Sequence, residues 1–536
     1  MSAPEESHLA KDAPVPFEEY LYWANYQPTN DNDAASKPGP EHKTVPPANY
    51  TGPDNQSDSR ALRTAGWISI LYLIVTDIFG PFSTPWAFAQ LGYGPGIAIY
   101  TVFGGLSTYS GWILWRAYMA LNSDRHPVRG YGDLFLRLFG PAARHLVNVC
   151  QSLQLLLSVS VTILSMGQSL SQISRGLDQT SAGICFVVCL LVFAVAGAIL
   201  GQVRTLRRLS WFAHGAIWLN AAIVLICVAV VVDSPPNFIA TLAQYGPDFG
   251  PGKQITKFGG LPPPGQGYTS GGDGFVGTLN GVMQAVCAYG GAMLFVAFLA
   301  EMRRPADFWK SLVCAELLIY VVYVFFGLFV YSFQGQFAMN PAMQGLSPYR
   351  WQTVANALNI GAGLVAATLY SNVGLKLLYV EVLQDVVRAP PLTSFRGKVY
   401  WGLLMPVYWA VAFIICVSVP MFSFVTGLIG AVFIMSFTFT LPALVALGYS
   451  IKKAAIVDDE EQAVTGSRPR YRFVDSGIRR FWRGFMERPW FNGWNVVYFL
   501  CALATCLLGV YTSVVALIAA FSGNSAATSW GCRPPV

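Results

Sequence analysis

The chain has 536 residues and a formal net charge of +6, with 54% hydrophobic and only 12% charged residues. Soluble domains carry about 25% charged residues, so this composition excludes a water-soluble globular protein. The positive balance does not indicate nucleic acid, because the cations are distributed over short loops between apolar runs.

Residues 1–60 lack the apolar core of a signal peptide and are rich in Pro, Glu, Asp, Asn and Ser. They read as a disordered cytoplasmic tail. One island interrupts it, Phe17 to Ala24, which reads either as a short helix docked on the cytoplasmic face or as a sticky disordered patch. From residue 61 to 521 apolar runs recur at the length a bilayer demands, about 20 helical residues for a ~30 Å core. Spans are expected near 65–90, 95–120, 145–173, 183–203, 210–232, 275–300, 309–333, 354–379, 399–419, 422–449 and 494–521. The fold class is therefore all-α, a polytopic membrane protein with about eleven transmembrane helices. Residues 522–536 form a short tail. With the N-terminus inside, 28 of the 34 Lys and Arg fall on inner segments and 5 on outer ones. That asymmetry is what the positive-inside rule requires, and it places the C-terminal tail outside the cell or in a lumen.

The first span carries Gly80-Pro81 in its middle and Pro85 one turn later. Proline removes a backbone donor and clashes with the carbonyl four residues back, so a break is expected over Asp77 to Thr84. The sixth span carries Tyr289-Gly290-Gly291 at mid-membrane, where paired glycines permit unwinding and close backbone approach. The two breaks are five spans apart. In a transporter built from inverted repeats, paired interruptions of this kind mark the midplane site. Each alone also fits an ordinary kink or Gly-Gly helix packing.

A broken helix leaves a half-helix N-terminus whose N–H groups suit a carboxylate, with Ser83 and Thr84 as further donors. Asp77 lies deep in span one and Glu316 in span seven; ionisable residues at such depth are costly and usually functional. Asp77 is open to three readings: a proton-coupling group, a partner for a substrate ammonium, or a cap on freed N–H groups. Glu316 is the second proton-coupling candidate, and it also reads as a satisfied structural residue. His214 and Lys376 read as structural. Gln151, Gln154, Gln168, Ser371 and Asn372 are polar positions in spans three and eight, either lining a cavity or joining helices. Nine of the ten cysteines lie in or at the ends of apolar segments and read as packing residues rather than a disulfide framework or metal site. No nucleotide, zinc-protease or serine-hydrolase motif is present, so neither an enzyme nor a cofactor is expected.

The run Thr76-Asp77-Ile78-Phe79-Gly80-Pro81-Phe82-Ser83-Thr84-Pro85-Trp86 and its continuation to Gly94 resembles the first helix of the amino acid/auxin permease family, in particular the fungal neutral amino acid permease-like branch. Ala288-Tyr289-Gly290-Gly291, followed by Glu301-Met302-Arg303-Arg304-Pro305-Ala306-Asp307-Phe308, is similar to its sixth helix and exit. Val419-Pro420-Met421-Phe422 and Gly427 to Ala431 resemble its tenth helix. The chain departs from the family where Ile78 stands at a glycine position. The resemblance implies a five-plus-five inverted repeat plus one extra helix, and secondary transport of neutral amino acids by proton symport. It implies that Asp77, Gly80, Pro81, Phe82, Ser83 and Thr84 with Tyr289, Gly290 and Gly291 hold the substrate; in helix eight, where some members carry a polar or charged ring, this chain departs with Tyr370, Ser371 and Asn372, which stay substrate-site candidates on their own polarity. The expected partners are an amino acid, a proton or sodium ion, and the lipid of a plasma or vacuolar membrane. Two rival readings are an amino-acid sensor with little flux and a membrane-embedded enzyme.

Overall fold

The computed structural model describes residues 15–25, 65–78, 80–123, 125–176, 183–203, 206–246, 249–263, 274–384, 389–390, 394–419, 422–458, 471–475, 477–522 and 530–532. Its helices in chain order are α1 (Phe17–Asn25), α2 (Trp67–Ile78), α3 (Thr84–Leu91), α4 (Tyr93–Leu121), α5 (Tyr131–Phe139), α6 (Pro141–Ser174), α7 (Phe186–Leu200), α8 (Leu206–Asp233) and α9 (Phe238–Tyr245). There follow α10 (Gly274–Ala288), α11 (Ala292–Glu301), α12 (Phe308–Gln334), α13 (Tyr349–Leu378), α14 (Phe395–Ser418), α15 (Phe422–Ile429), α16 (Leu441–Ala454), α17 (Gly477–Glu487) and α18 (Pro489–Ser522). A short antiparallel pair, β1 (Ile456–Asp458) and β2 (Tyr471–Phe473), precedes α17.

Among the described residues, 10 helical stretches are long and apolar enough to cross a membrane. An eleventh apolar helix, α7, stands where the fourth span was expected. Its 15 residues rise about 22 Å at 1.5 Å each, short of a ~30 Å core. An apolar helix thus occupies every expected span, and the protein is an all-α polytopic membrane protein.

Two hydrophobic clusters organise the bundle. The larger joins side chains of spans one, two, six and seven with span ten, among them Ile74, Tyr100, Leu114, Tyr289, Phe295, Ile319 and Phe439. The second joins spans three, four, eight and nine through Ile163, Leu190, Ala367, Trp401 and Trp409. Spans one and two thus group with six and seven, and three and four with eight and nine, each five spans along the chain, the grouping an internal five-span repeat produces; span ten is the exception, since span five packs in a separate cluster around Ile223 and Val224. Small residues allow the close approach: a Cβ on Gly197 would lie 2.1 Å from the Trp409 ring, so only glycine fits against that indole.

The island at Phe17 is the helix α1, and it is docked at one end of the bundle. Phe17 stacks on Phe473 at 6.3 Å, Tyr20 meets His126 edge-on at 5.2 Å, and the Arg137 guanidinium lies 4.8 Å from the Tyr20 ring. Arg137, almost fully buried, donates to the carbonyls of Leu121 and His126. Burial pushes the Tyr20 hydroxyl above its usual range and holds His126 below its own.

The cysteine reading is corrected at one point. Cys185 and Cys532 form a disulfide across 347 residues of sequence, at the end of the bundle opposite α1. It ties the tail to the start of α7, where the Phe186 amide also donates to the Cys532 carbonyl at 3.2 Å. Cys185 read as a span-end packing residue and Cys532 as a lone cysteine in the polar tail, and 347 residues of sequence separate the two. The remaining described cysteines are free thiols.

Candidate functional site: two interrupted helices bridged by Tyr323

Both expected breaks are present. Span one is helical to Ile78 and resumes at Thr84 after a 3-10 turn over Pro81–Ser83. Pro81 ends the hydrogen-bond ladder, and the Thr84 hydroxyl donates to the Pro81 carbonyl at 2.6 Å, satisfying one freed acceptor. The Asp77 side chain lies outside the described residues, as does that of His214. Span six is helical to Ala288 and resumes at Ala292. Between them, Gly290 donates to the Cys287 carbonyl at 3.3 Å and Gly291 to the Tyr289 carbonyl at 3.0 Å, a tight turn in place of the helical ladder. A Cβ on Gly290 would sit 2.9 Å from Ile434 of span ten, so the glycine lets that span approach the break.

The two breaks meet through span seven. The Gly80 amide donates to the Tyr323 hydroxyl at 3.1 Å. The Tyr323 ring lies 6.1 Å from that of Tyr289 and 6.5 Å from that of Tyr100, both near-perpendicular or strongly tilted. Tyr100 and Tyr289 face each other at 6.2 Å, and Phe88 stacks on Tyr100 at 5.4 Å. All three tyrosines and Phe88 are buried. Phe82 packs on a separate cluster around Val224 and Phe326, while Ser83 is half-buried.

One turn-pair along span seven, Glu316 is buried, with one carboxyl oxygen accepting from Ser107 at 2.8 Å. The Ser107 hydroxyl also lies 3.5 Å from the Tyr289 carbonyl, so span two links the carboxyl to the second break. The other Glu316 oxygen and the hydroxyls of Tyr100 and Tyr289 have no hydrogen-bond partner among the described residues. Buried polar atoms are nearly always paired, at a cost of roughly 1–3 kcal/mol when they are not. Three such atoms are gathered beside the second helix break, unpartnered donors and acceptors in a largely apolar bundle.

The other polar positions divide. Gln151 donates to the Met293 carbonyl at 3.3 Å, in the first turn after the second break. Ser371 bonds back to the Thr368 carbonyl and Asn372 donates to the Val203 carbonyl at 2.7 Å. Their hydrogen bonds thus serve span eight and the loop after α7 rather than either break. Tyr100, Ser107 and Tyr323 were not singled out from the sequence. A signal existed for Tyr323, which falls seven residues after Glu316 on one buried helical stripe.

The comparisons agree with this architecture. The family model described as "Transmembrane amino acid transporter protein" matches residues 63–462. A "Transmembrane transporter" of Fusarium pseudograminearum is 26% identical over 392 residues, covering 72% of this chain and 76% of its own length. An "N amino acid transport system protein" of Neurospora crassa is 25% identical over 395 residues, 73% of this chain and 78% of its own. With the matched region spanning well over half the chain and enclosing both interrupted helices, the protein belongs to the transmembrane amino acid transporter family.

Proposed function

We propose that the protein is a secondary active transporter that moves neutral amino acids by proton symport with alternating access. The observation that carries this reading is the meeting of the two helix breaks at Tyr323. The substrate carboxylate sits at the N-terminal end of α3, among Gly80, Pro81, Phe82, Ser83 and Thr84. Its ammonium meets carbonyls at Tyr289, Gly290 and Gly291, with Asp77 as charge partner. Tyrosines and Phe88 form the walls, which suits an uncharged side chain. Rocking of the cluster of spans one, two, six and seven against that of spans three, four, eight and nine would expose the pocket to each side in turn.

Glu316 is the proton carrier in this proposal, with Asp77 the second candidate. A carboxylate in the membrane interior is costly, and the Ser107 hydroxyl couples its charge state to the Tyr289 carbonyl. The N-terminus lies in the cytoplasm. Two observations support that orientation: the cation excess of the α1 end, and the Cys185–Cys532 disulfide at the other, since disulfides persist in oxidising compartments. The membrane is the plasma or vacuolar membrane.

The test is uptake of a labelled amino acid panel into proteoliposomes, with and without an imposed proton gradient. Concentrative uptake of neutral amino acids that needs the gradient supports the reading. Saturable binding without accumulation would instead favour the sensor.

A further inference from the structure

A cleft of about 450 Å³ opens between α4, α16, α17 and the start of α18, at the end of the bundle that carries α1. Its walls are apolar and aromatic, from Trp112, Ala446, Tyr449 and Phe491. Its mouth carries three cations, Arg116, Lys453 and Arg488, against one acid, Glu487. Among the described residues none of the three cations is paired with a carboxylate. Arg116 lies 4.8 Å over the Trp112 ring and Lys453 5.6 Å over that of Tyr449, so two of the charges stand directly above the apolar wall.

The depth of the cleft follows from where its residues sit. Arg116 is near the end of α4, Lys453 near the end of α16, and Arg488 immediately before α18. All three therefore lie where membrane-crossing helices leave the hydrocarbon. The adjoining helix α17 has the composition of one that lies in the interface. Ile478, Phe481, Trp482 and Met486 are 74%, 48%, 54% and 58% exposed, and Trp490 beyond it is 92% exposed. Two of its three arginines turn the other way: Arg480 stacks on Phe473 at 3.7 Å and Arg483 pairs with Asp475 at 3.3 Å, while Arg479 is exposed. A helix with two arginines on the protein and its apolar and aromatic residues outward borders the cleft at headgroup level.

We propose that this cleft binds an anionic glycerophospholipid of the surrounding bilayer. The phosphate sits among Arg116, Lys453 and Arg488, and the upper part of an acyl chain runs down the wall of Trp112, Ala446 and Phe491. Charge complementarity selects the headgroup, because basic pockets between membrane helices hold anionic lipids and each nearby cation contributes about 1 kcal/mol. The aromatic wall selects a molecule with a hydrocarbon chain over a free phosphate. The site is separate from the helix breaks and does not depend on the substrate or coupling ion.

The test uses the purified full chain in detergent, delipidated and then exposed to phosphatidylcholine, phosphatidylserine or inorganic phosphate. Retained lipid is read by native mass spectrometry and stability by thermal unfolding. Phosphatidylserine is expected to be retained and to raise the melting temperature, with phosphatidylcholine and phosphate doing neither. Arg116→Gln and Arg488→Gln are each expected to cut retention about fivefold, while Lys253→Gln, at a distant loop, leaves it unchanged. If either cleft variant fails to fold, Lys453→Gln carries the same expectation. Equal retention of the two lipids, stabilisation by phosphate alone, or parental retention in the cleft variants would overturn the proposal.

Discussion

The backbone amide of Gly80, at the break in the first span, donates to the hydroxyl of Tyr323 in the seventh at 3.1 Å. Through the same tyrosine's ring, 6.1 Å from Tyr289, one interrupted helix is held against the other. Removing only that oxygen isolates the contribution. Tyr323→Phe keeps the ring packing and forfeits the hydrogen bond from Gly80, worth about 1 kcal/mol. The expected result is a roughly fivefold higher KM for amino acid uptake with folding intact. Unchanged uptake kinetics would show that the Gly80–Tyr323 bond does not organise the site.

Phe88 is clamped between two glycines on facing helices. A Cβ added to Gly327 would stand 2.5 Å from the Phe88 ring, and one on Gly96 likewise 2.5 Å from it. The ring is also stacked on Tyr100, which leaves it little room to yield. Overpacking of this kind costs about 1–3 kcal/mol, so Gly327→Ala should lower the melting temperature and impair uptake together. Gly105→Ala, whose Cβ meets nothing within 4 Å, serves as the silent control.

Docking of α1 should weaken in acid. His126 lies 3.5 Å from Glu19 and against the Tyr20 ring. Burial holds the imidazole below its ordinary value of 6.5, with Glu19 pulling the other way. The undocked form then binds a proton more readily than the docked one. The histidine's contribution is complete above that ordinary value and is lost as the pH falls below it. Trp23, under the Arg125 guanidinium at 4.4 Å, reports on the contact. Its fluorescence should shift between about pH 7.5 and about pH 5.5, and His126→Gln should remove that shift.

The disulfide between Cys185 and Cys532 closes a loop of 347 residues. Cross-links of long loops restrict the unfolded chain, typically by about 2–4 kcal/mol. Reductant or Cys185→Ser should therefore lower the melting temperature by several degrees. Cys314→Ser, at an exposed free thiol, should leave it in place. An unaltered melting point under full reduction would show that the bridge does not contribute.

The spans and both breaks were legible because their signals are local. Runs of apolar residues fix the first, and Gly80-Pro81 and Gly290-Gly291 the second. What the sequence hid lies in pairs far apart along it. Ser107 reaches the Tyr289 carbonyl across 182 residues, Gly80 reaches Tyr323 across 243, and Cys185 reaches Cys532 across 347. No periodicity reports such pairs. Asn372 illustrates the converse: a polar residue inside a span reads equally as cavity lining or as glue between helices, and only the fold shows its amide donating to the Val203 carbonyl. The amphipathic α1 was legible as a helix candidate but its seat was not, because that seat is assembled from the loop at His126, α5 and β2.

The coupling assigned to Glu316 is open to a direct reading of proton flow. A pH-sensitive dye inside proteoliposomes is followed as a neutral amino acid is added outside, for the parent protein and for Glu316→Gln. The account predicts substrate-dependent acidification of the interior by the parent and none by the variant, which still exchanges labelled for unlabelled amino acid. Full substrate-driven acidification by Glu316→Gln, or amino acid entry through the parent with no proton movement, would contradict it.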